Sequence, residues 1–343
     1  MSKTAVIGGG SFGTVVANII ALNGHDVQFW MRSGELVNQV NQLHENKQYL
    51  PGYALSKQVV ATESMAEAVT GANLIFVAVP SSSFREVVKQ VVSFAPTDSM
   101  LISTTKGIEP DSFKLMSQIL SEESPGSKIG VLSGPNLAKE IATKHPTGTV
   151  IASNFVEIRE SVKEILRSDT FRVYTNDDMF GIELGGSLKN IYAIIAGLAA
   201  SIGMGHNTNS MLVTRALAEM ARFGRELGAD PMTFLGLAGV GDLVVTCSTP
   251  LSRNYRIGQA LGAGCSIEEA IAEVGQVAEG VNTVKLVKVK ADELNVYMPL
   301  VSGLYRIIYE NQPIKNILSS LTLSEEALDV EFAATDEKIL NRN

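Results

Sequence analysis

Short β-branched runs alternate with amphipathic stretches through the first half of the chain. The apolar segments at residues 4–8 (TAVIG), 26–31 (DVQFWM), 73–79 (NLIFVAV), 100–104 (MLIST), 129–132 and 149–152 read as strands. Apolar positions at helical period cover residues 11–23 and 34–45, and helix-length segments separate the later strands. This repetition predicts an α/β fold with a doubly wound, mostly parallel sheet covered on both faces. Beyond about residue 180 the strand pattern stops, and residues 182–202, 210–227, 253–261, 283–294 and 299–310 carry the helical period instead. A C-terminal all-helical domain is therefore expected. The turn-forming Asn176-Asp177-Asp178 marks the border, giving domains at residues 1–178 and 179–335 and a frayed polar tail at 336–343.

The turn after the first strand carries the first chemistry. Gly8-Gly9-Gly10-Ser11-Phe12-Gly13 matches G-x-G-x-x-G, follows a strand, opens a helix and starts a βαβ unit. Glycines there permit a tight turn, let backbone amides approach a pyrophosphate and let the helix pack close to the sheet. The helix N-terminus adds partial positive charge. The first domain thus reads as Rossmann-like and dinucleotide-binding, with Gly8, Gly10 and Gly13 at the cofactor. An Asp or Glu at the end of the second strand would select NAD, but the chain reads Phe29-Trp30-Met31-Arg32-Ser33 there. Arg32 can pair a 2′-phosphate and stack on adenine, so NADP is accepted; the alternative is a solvated arginine.

Composition narrows the class of partner. At 343 residues, 45% hydrophobic and 19% charged, the chain is too long and too apolar for a disordered or fibrous protein. Lys and Arg number 28 against 36 Asp and Glu, a formal charge of −8, which offers no broad field for nucleic acid or anionic lipid. Two cysteines, Cys247 and Cys265, are too few for a disulfide framework, and the N-terminus lacks a signal-peptide pattern. A cytoplasmic location is expected. The longest apolar stretch, residues 191–204, is too short to span lipid and reads as a buried helix. The histidines lack metal-site spacing, so no metal is expected, and both thiols default to inert.

Several polar groups interrupt otherwise apolar or glycine-rich contexts. Lys106 follows the strand MLIST at the carboxyl edge of a parallel sheet, where ligands bind in such folds. Ser133-Gly134-Pro135-Asn136 makes a second strand-to-helix turn. In the segment GIELGGSLKN, Lys189 shares a helix face with Gly185, Gly186, Ala193 and Ala196. Loss of water on such a face favours the neutral amine and suits a proton acceptor or donor; the alternative is a snorkelling lysine. Gly239-Val240-Gly241-Asp242 places a carboxylate on a flexible turn. Ser252-Arg253-Asn254 has a phosphate-binding composition, although Ser252 as an N-cap and Arg253 as a surface charge explain it equally well.

Taken in order, GGGSFG, STTKG, SGPN, GIELGGSLKN, NTNSMLVTRALAEM, GVGDLVVTC and LSRN resemble the bacterial type of NAD(P)-dependent glycerol-3-phosphate dehydrogenase from about residue 4 to 310. The resemblance implies reversible hydride transfer between the nicotinamide of NADP or NAD and carbon 2 of a three-carbon phosphate. Glycerone phosphate would be reduced to sn-glycerol 3-phosphate for phospholipid synthesis. By the same resemblance Lys189 is the proton donor in reduction, and Lys106 touches cofactor and substrate. Gly134, Asn136, Asp242, Ser252, Arg253 and Asn254 would line the substrate. Ser11, Phe12, Arg32, Ala138, Val277 and Glu279 fall at the dinucleotide contacts, with Arg253 shared.

The chain departs from the family at Asn209, where a basic residue is common, at Ala216 in place of a glycine, and at Asn136 in place of Ser or Thr. The first two bear on substrate affinity or feedback control rather than on the reaction, and the third keeps hydrogen-bonding ability. Ala- and Gly-rich helices suit a homodimer. Two rivals share the fingerprint: a 6-phosphogluconate or ketopantoate reductase, which would not predict the SGPN and LSRN pair, and a non-catalytic NADP sensor in which Lys189 is structural.

Overall fold

The computed structural model describes residues 3–275 and 279–314. The chain divides into two compact units, Met1–Glu183 and Leu184–Asn343. The end expected for the second domain and the tail at 336–343 lie outside the described residues.

The first unit is built on β1 (Lys3–Ile7), β2 (Val27–Trp30), β3 (Val59–Thr62), β4 (Ala72–Val77), β5 (Met100–Ser103), β6 (Lys128–Ser133), β7 (Thr147–Ala152) and β8 (Phe171–Asn176). They form one sheet in the order β3-β2-β1-β4-β5-β6-β7-β8. Every neighbouring pair is parallel except β6 with β7. This is the doubly wound, mostly parallel sheet expected. Alternation along the strands feeds two cores. Val6, Phe29, Phe76 and Ile102 join one cluster, while Ala5, Ile7, Ile75, Val77 and Leu101 join the other. Burial on both faces explains why these strands read as continuous apolar runs.

Two strands escaped the sequence pattern. The run VVAT of β3 is four residues long, with Val60 exposed. The edge strand β8 buries Phe171 and Val173 but exposes Arg172 and Tyr174. Its apolar–polar alternation is the signal that was available.

Close approach makes two of the fingerprint glycines, Gly8 and Gly13, obligatory. Gly8 has φ +125°, and a Cβ there would sit 2.4 Å from the Ala78 carbonyl oxygen. A Cβ on Gly13 would sit 2.1 Å from the Gly8 carbonyl oxygen, so the helix Ser11–Leu22 could not start where it does.

The second unit is helical among its described residues. The helix Met179–Ser201 is buried on all sides from Leu184 to Ala199, as an apolar helix without a polar face must be. It meets the helix Arg253–Gly262 backbone to backbone. A Cβ on Gly258 would lie 1.9 Å from the Ile194 carbonyl oxygen, and one on Gly197 would lie 1.9 Å from that of Tyr255. The helix Ile267–Val274 was not anticipated, although its capping box, Ser266 with Glu269, is legible in the sequence.

Two buried carboxyls clamp helix starts. Glu183 accepts from the Ser117 N–H at 3.1 Å and from its hydroxyl, near the start of the helix Met116–Glu123. Glu219 accepts from the Leu300 N–H at 2.6 Å, at the start of the helix Pro299–Glu310, and from the Tyr192 hydroxyl at 3.1 Å. Burial pushes Glu183 up to about 7 and Glu219 up to about 8, despite those hydrogen bonds. A carboxyl raised on folding binds more protons in the native state than in the unfolded chain. Its contribution is therefore complete below the unfolded value of about 4.3 and is lost as pH rises through the folded one. Thermal melts should accordingly show Tm falling between about pH 5 and 9, and Glu219→Gln should flatten the upper part of that slope. Parallel slopes in the two proteins would remove Glu219 as the cause.

Candidate active site

Of the residues expected at the dinucleotide, Gly8 to Gly13 and Arg32 lie at the carboxyl ends of β1 and β2. Gly10 is the N-cap of the helix Ser11–Leu22, and a Cβ on Gly10 would meet nothing within 4 Å, so its backbone is open to an incoming group. Ser11 and Phe12 form the first turn, with Phe12 packed against the core cluster. Arg32 is exposed just beyond β2. The Ser33 oxygen accepts from the Leu36 N–H at 3.5 Å as N-cap of the helix Gly34–Leu43, which leaves its hydroxyl proton to donate elsewhere. An open helix N-terminus, partly positive, followed by an exposed guanidinium suits an anionic ligand.

Lys106, Gly134 and Asn136 form a second group in the same unit. The Lys106 ammonium donates to the Gly134 carbonyl at 2.9 Å. Gly134 adopts φ +138°, turning the chain out of β6. Asn136 donates to the Thr149 hydroxyl at 2.8 Å, and that hydroxyl donates to the Ser133 carbonyl at 3.0 Å. Asn136 Oδ1 and Ser133 Oγ are buried with no hydrogen-bond partner among the described residues, an arrangement that suits a polar ligand. Ala138 opens the five-residue helix Ala138–Ala142 next to them.

The second unit assembles its own constellation around Lys189, which is 6% exposed. Its ammonium is ion-paired with Asp242 and donates to the Thr246 hydroxyl at 2.6 Å. Thr246 in turn donates to the Asp242 carbonyl at 2.5 Å. One expectation changes here. Asp242 is not on a flexible turn: it opens the helix Asp242–Cys247 after a π-helical turn at Leu237–Gly241 and is 1% exposed. Gly239 permits that compact turn, because a Cβ there would lie 2.0 Å from the Phe234 carbonyl oxygen. Burial, moreover, does not act on Lys189 alone. A carboxylate sits beside it, an opposite charge whose attraction opposes the effect of desolvation. Cys247, buried beside the pair, has its thiol pushed up to about 12 by burial, which leaves it unreactive.

The third group lies on the helix Arg253–Gly262. Ser252 is its N-cap, accepting from the Tyr255 N–H at 3.3 Å, and Arg253 is exposed in the first turn. Asn254 is buried and accepts from the Gly280 N–H at 3.1 Å. A Cβ on Gly280 would meet both Asn254 Oδ1, at 2.6 Å, and the Asn190 carbonyl oxygen, at 2.7 Å, which ties this turn to the residue after Lys189. Glu279 is half-buried at the start of the helix Glu279–Glu293, and Val277 lies outside the described residues. Sequence reasoning missed Thr246 and Asn190. The four-residue spacing of Asp242 and Thr246 on a helix was the usable signal for the first; nothing local marked the second.

Among the described residues no group of three or more His, Cys, Asp and Glu is gathered as a metal site, and no helix is long and apolar enough to cross a membrane.

Comparison with known proteins agrees with this geometry. The family models for the N-terminus and C-terminus of NAD-dependent glycerol-3-phosphate dehydrogenase match residues 3–158 and 178–319. A glycerol-3-phosphate dehydrogenase [NAD(P)+] of Saccharophagus degradans is 54% identical over 327 residues, covering 95% of this chain and 91% of that one. The crystal structure of a glycerol-3-phosphate dehydrogenase from Coxiella burnetii superposes with a TM-score of 0.88 at 34% identity, covering 95% of this chain and 99% of that one. A ketopantoate reductase of Ralstonia eutropha shares the fold alone, with a TM-score of 0.57 at 14% identity over 89% of this chain and 97% of that one. The chain belongs to the NAD-dependent glycerol-3-phosphate dehydrogenase family.

Proposed function

We propose that this chain reduces glycerone phosphate to sn-glycerol 3-phosphate with NADPH or NADH, supplying the glycerol backbone for phospholipid synthesis. The observation that carries the reading is the buried Lys189 ammonium, held by Asp242 and Thr246, in a chain matched along both halves by one dehydrogenase family. The bound nicotinamide supplies the hydride for carbon 2. Lys189 gives the proton to the oxygen that becomes the hydroxyl, while Asp242 and Thr246 aim its ammonium and keep it charged until the proton leaves. In this reading the first unit holds the dinucleotide through Gly8, Gly10, Gly13, Ser11, Phe12, Arg32 and Ala138, with Val277, Glu279 and Arg253 completing that set.

Substrate recognition follows from charge and hydrogen-bonding capacity. Arg253, exposed beside the Ser252 hydroxyl and the Asn254 carboxamide, takes the phosphate. Lys106, Gly134 and Asn136 orient the three-carbon body, using the polar atoms that lack protein partners. The departures at Asn209 and Ala216 leave Lys189 and its partners intact. The reading extends to a cytoplasmic homodimer with no nucleic-acid partner, supported by two unpaired cysteines and the net acidity of the chain.

Steady-state turnover tests this. The wild-type protein should oxidise both reduced cofactors when glycerone phosphate is present. Arg32→Ala should raise KM about tenfold for NADPH and much less for NADH, through loss of a charge-assisted contact to the 2′-phosphate. Equal effects on both cofactors would retire that role for Arg32. Binding of NADPH without oxidation would replace the dehydrogenase with a sensor.

A further inference from the structure

The strap between the helix Gly34–Leu43 and β3 lies against the glycine fingerprint. We propose that Asn46, at the start of this strap, is a positioning residue that fixes the peptide planes of the fingerprint before the dinucleotide binds. The proposal rests on the reading of Gly8–Gly13 as the dinucleotide site.

Asn46 is fully buried. Its amide nitrogen donates to the Gly9 carbonyl at 2.9 Å and to the Thr14 hydroxyl at 2.8 Å, so both amide protons are used. The Thr14 hydroxyl passes its own proton to the Gly10 carbonyl at 2.8 Å, which also accepts the Thr14 N–H at 3.0 Å. The carbonyls of two consecutive glycines are thereby held by one short chain of hydrogen bonds. In a trans peptide the C=O and the following N–H point in opposite directions, and no cis bond occurs among the described residues. Holding the Gly9 and Gly10 carbonyls therefore turns the Gly10 and Ser11 N–H groups the other way, the orientation an anion at the helix N-terminus requires. Glycine peptides left unheld rotate freely, and a flipped one would present its carbonyl oxygen to the phosphates.

Residue type and anchoring point the same way. Asn46 Oδ1 is buried with no hydrogen-bond partner among the described residues. A side chain that only filled space would not need to bury a carboxamide with half its capacity unused. The strap is fastened on both sides of Asn46's target. The Ser11 hydroxyl donates to the Tyr49 carbonyl at 3.0 Å, and Asn18 takes the Ser56 N–H at 2.7 Å. The Asn46 carbonyl accepts from the Leu50 N–H at 2.9 Å. Asn46 therefore reaches the loop from a fixed base.

The test is direct titration of NADPH fluorescence, without substrate, on the full chain and on Asn46→Asp, which keeps the shape but replaces the two amide donors with a carboxyl. The dissociation constant should rise about tenfold or more. At saturating NADPH, kcat and the KM for glycerone phosphate should stay within about twofold, since the loss is confined to cofactor binding. Thr14→Val, which removes only the relay to Gly10, should raise the dissociation constant about threefold. An unchanged constant with a lowered Tm would make Asn46 a stabilising residue alone and overturn the proposal. If Asn46→Asp fails to fold, an unchanged constant in Thr14→Val overturns it instead. Failure of the wild-type protein to bind NADPH would overturn the reading of the fingerprint itself, a separate outcome.

Discussion

Lys189→Ala lowers kcat by about two to four orders of magnitude, the range that loss of a positioned general acid produces. NADPH binding, measured by fluorescence, stays within about twofold of the wild-type value, because none of the fingerprint residues is touched. The ammonium is ion-paired with the buried Asp242, so the alanine variant also takes a cationic partner from that carboxylate. Removing one partner of a buried pair costs about 3–5 kcal/mol, and a lowered Tm should accompany the kinetic loss. Lys189→Met separates the two effects. It restores the volume of the side chain but no proton, and it should be as slow as the alanine variant. Turnover within about tenfold of wild type in either variant would remove Lys189 from proton transfer.

Gly258→Val destabilises the second unit and lowers activity with it. The added Cβ would overlap the Ile194 carbonyl oxygen, 1.9 Å from its ideal position, and Leu198 N at 2.7 Å. These are backbone atoms in the middle of a buried helix and cannot swing aside as a side-chain end would. Overpacking of this kind costs about 3 kcal/mol or more, which corresponds to a Tm lower by about 6–12 °C for a unit of this size. The same contact sets the helix bearing Ser252 and Arg253 against the helix bearing Lys189, so kcat/KM for glycerone phosphate should fall even below the transition. A variant melting within about 1 °C of wild type would show that the two helices can part without loss.

Most of the fold was legible because its strongest determinants are local. Six strands buried on both faces announce themselves as continuous apolar runs, and the fingerprint is confirmed by the strand before it and the helix after it. What escaped were elements whose evidence is short or tertiary. Strand β3 is held mainly by pairing with β2, and β8 buries only one face at the sheet edge. The glycines at 239 and 241 suggested flexibility because glycine frees an isolated chain. In the folded protein Gly239 does the reverse, letting a π turn close tightly enough to bury Asp242.

The candidate site divides in the same way. Lys189 stood out as a cation on a small-residue face, and the structure places it where water is largely excluded. Its ion pair was not legible, because desolvation can be read from neighbours in sequence, whereas the opposing carboxylate sits 53 residues away. The Asn254–Gly280 contact, 26 residues apart, was beyond local reading for the same reason. Asn46 is a third case. Its 32-residue separation from Thr14 hides a hydrogen bond that no motif records.

Transfer of a labelled hydride tests the central claim most directly. Wild-type protein is incubated with glycerone phosphate and NADPH carrying deuterium at the transferable position of the nicotinamide, and the product is read by NMR. The expected product is sn-glycerol 3-phosphate deuterated at carbon 2, one equivalent for each cofactor oxidised. Cofactor that stays reduced in the presence of glycerone phosphate, or product without deuterium at that carbon, would contradict it.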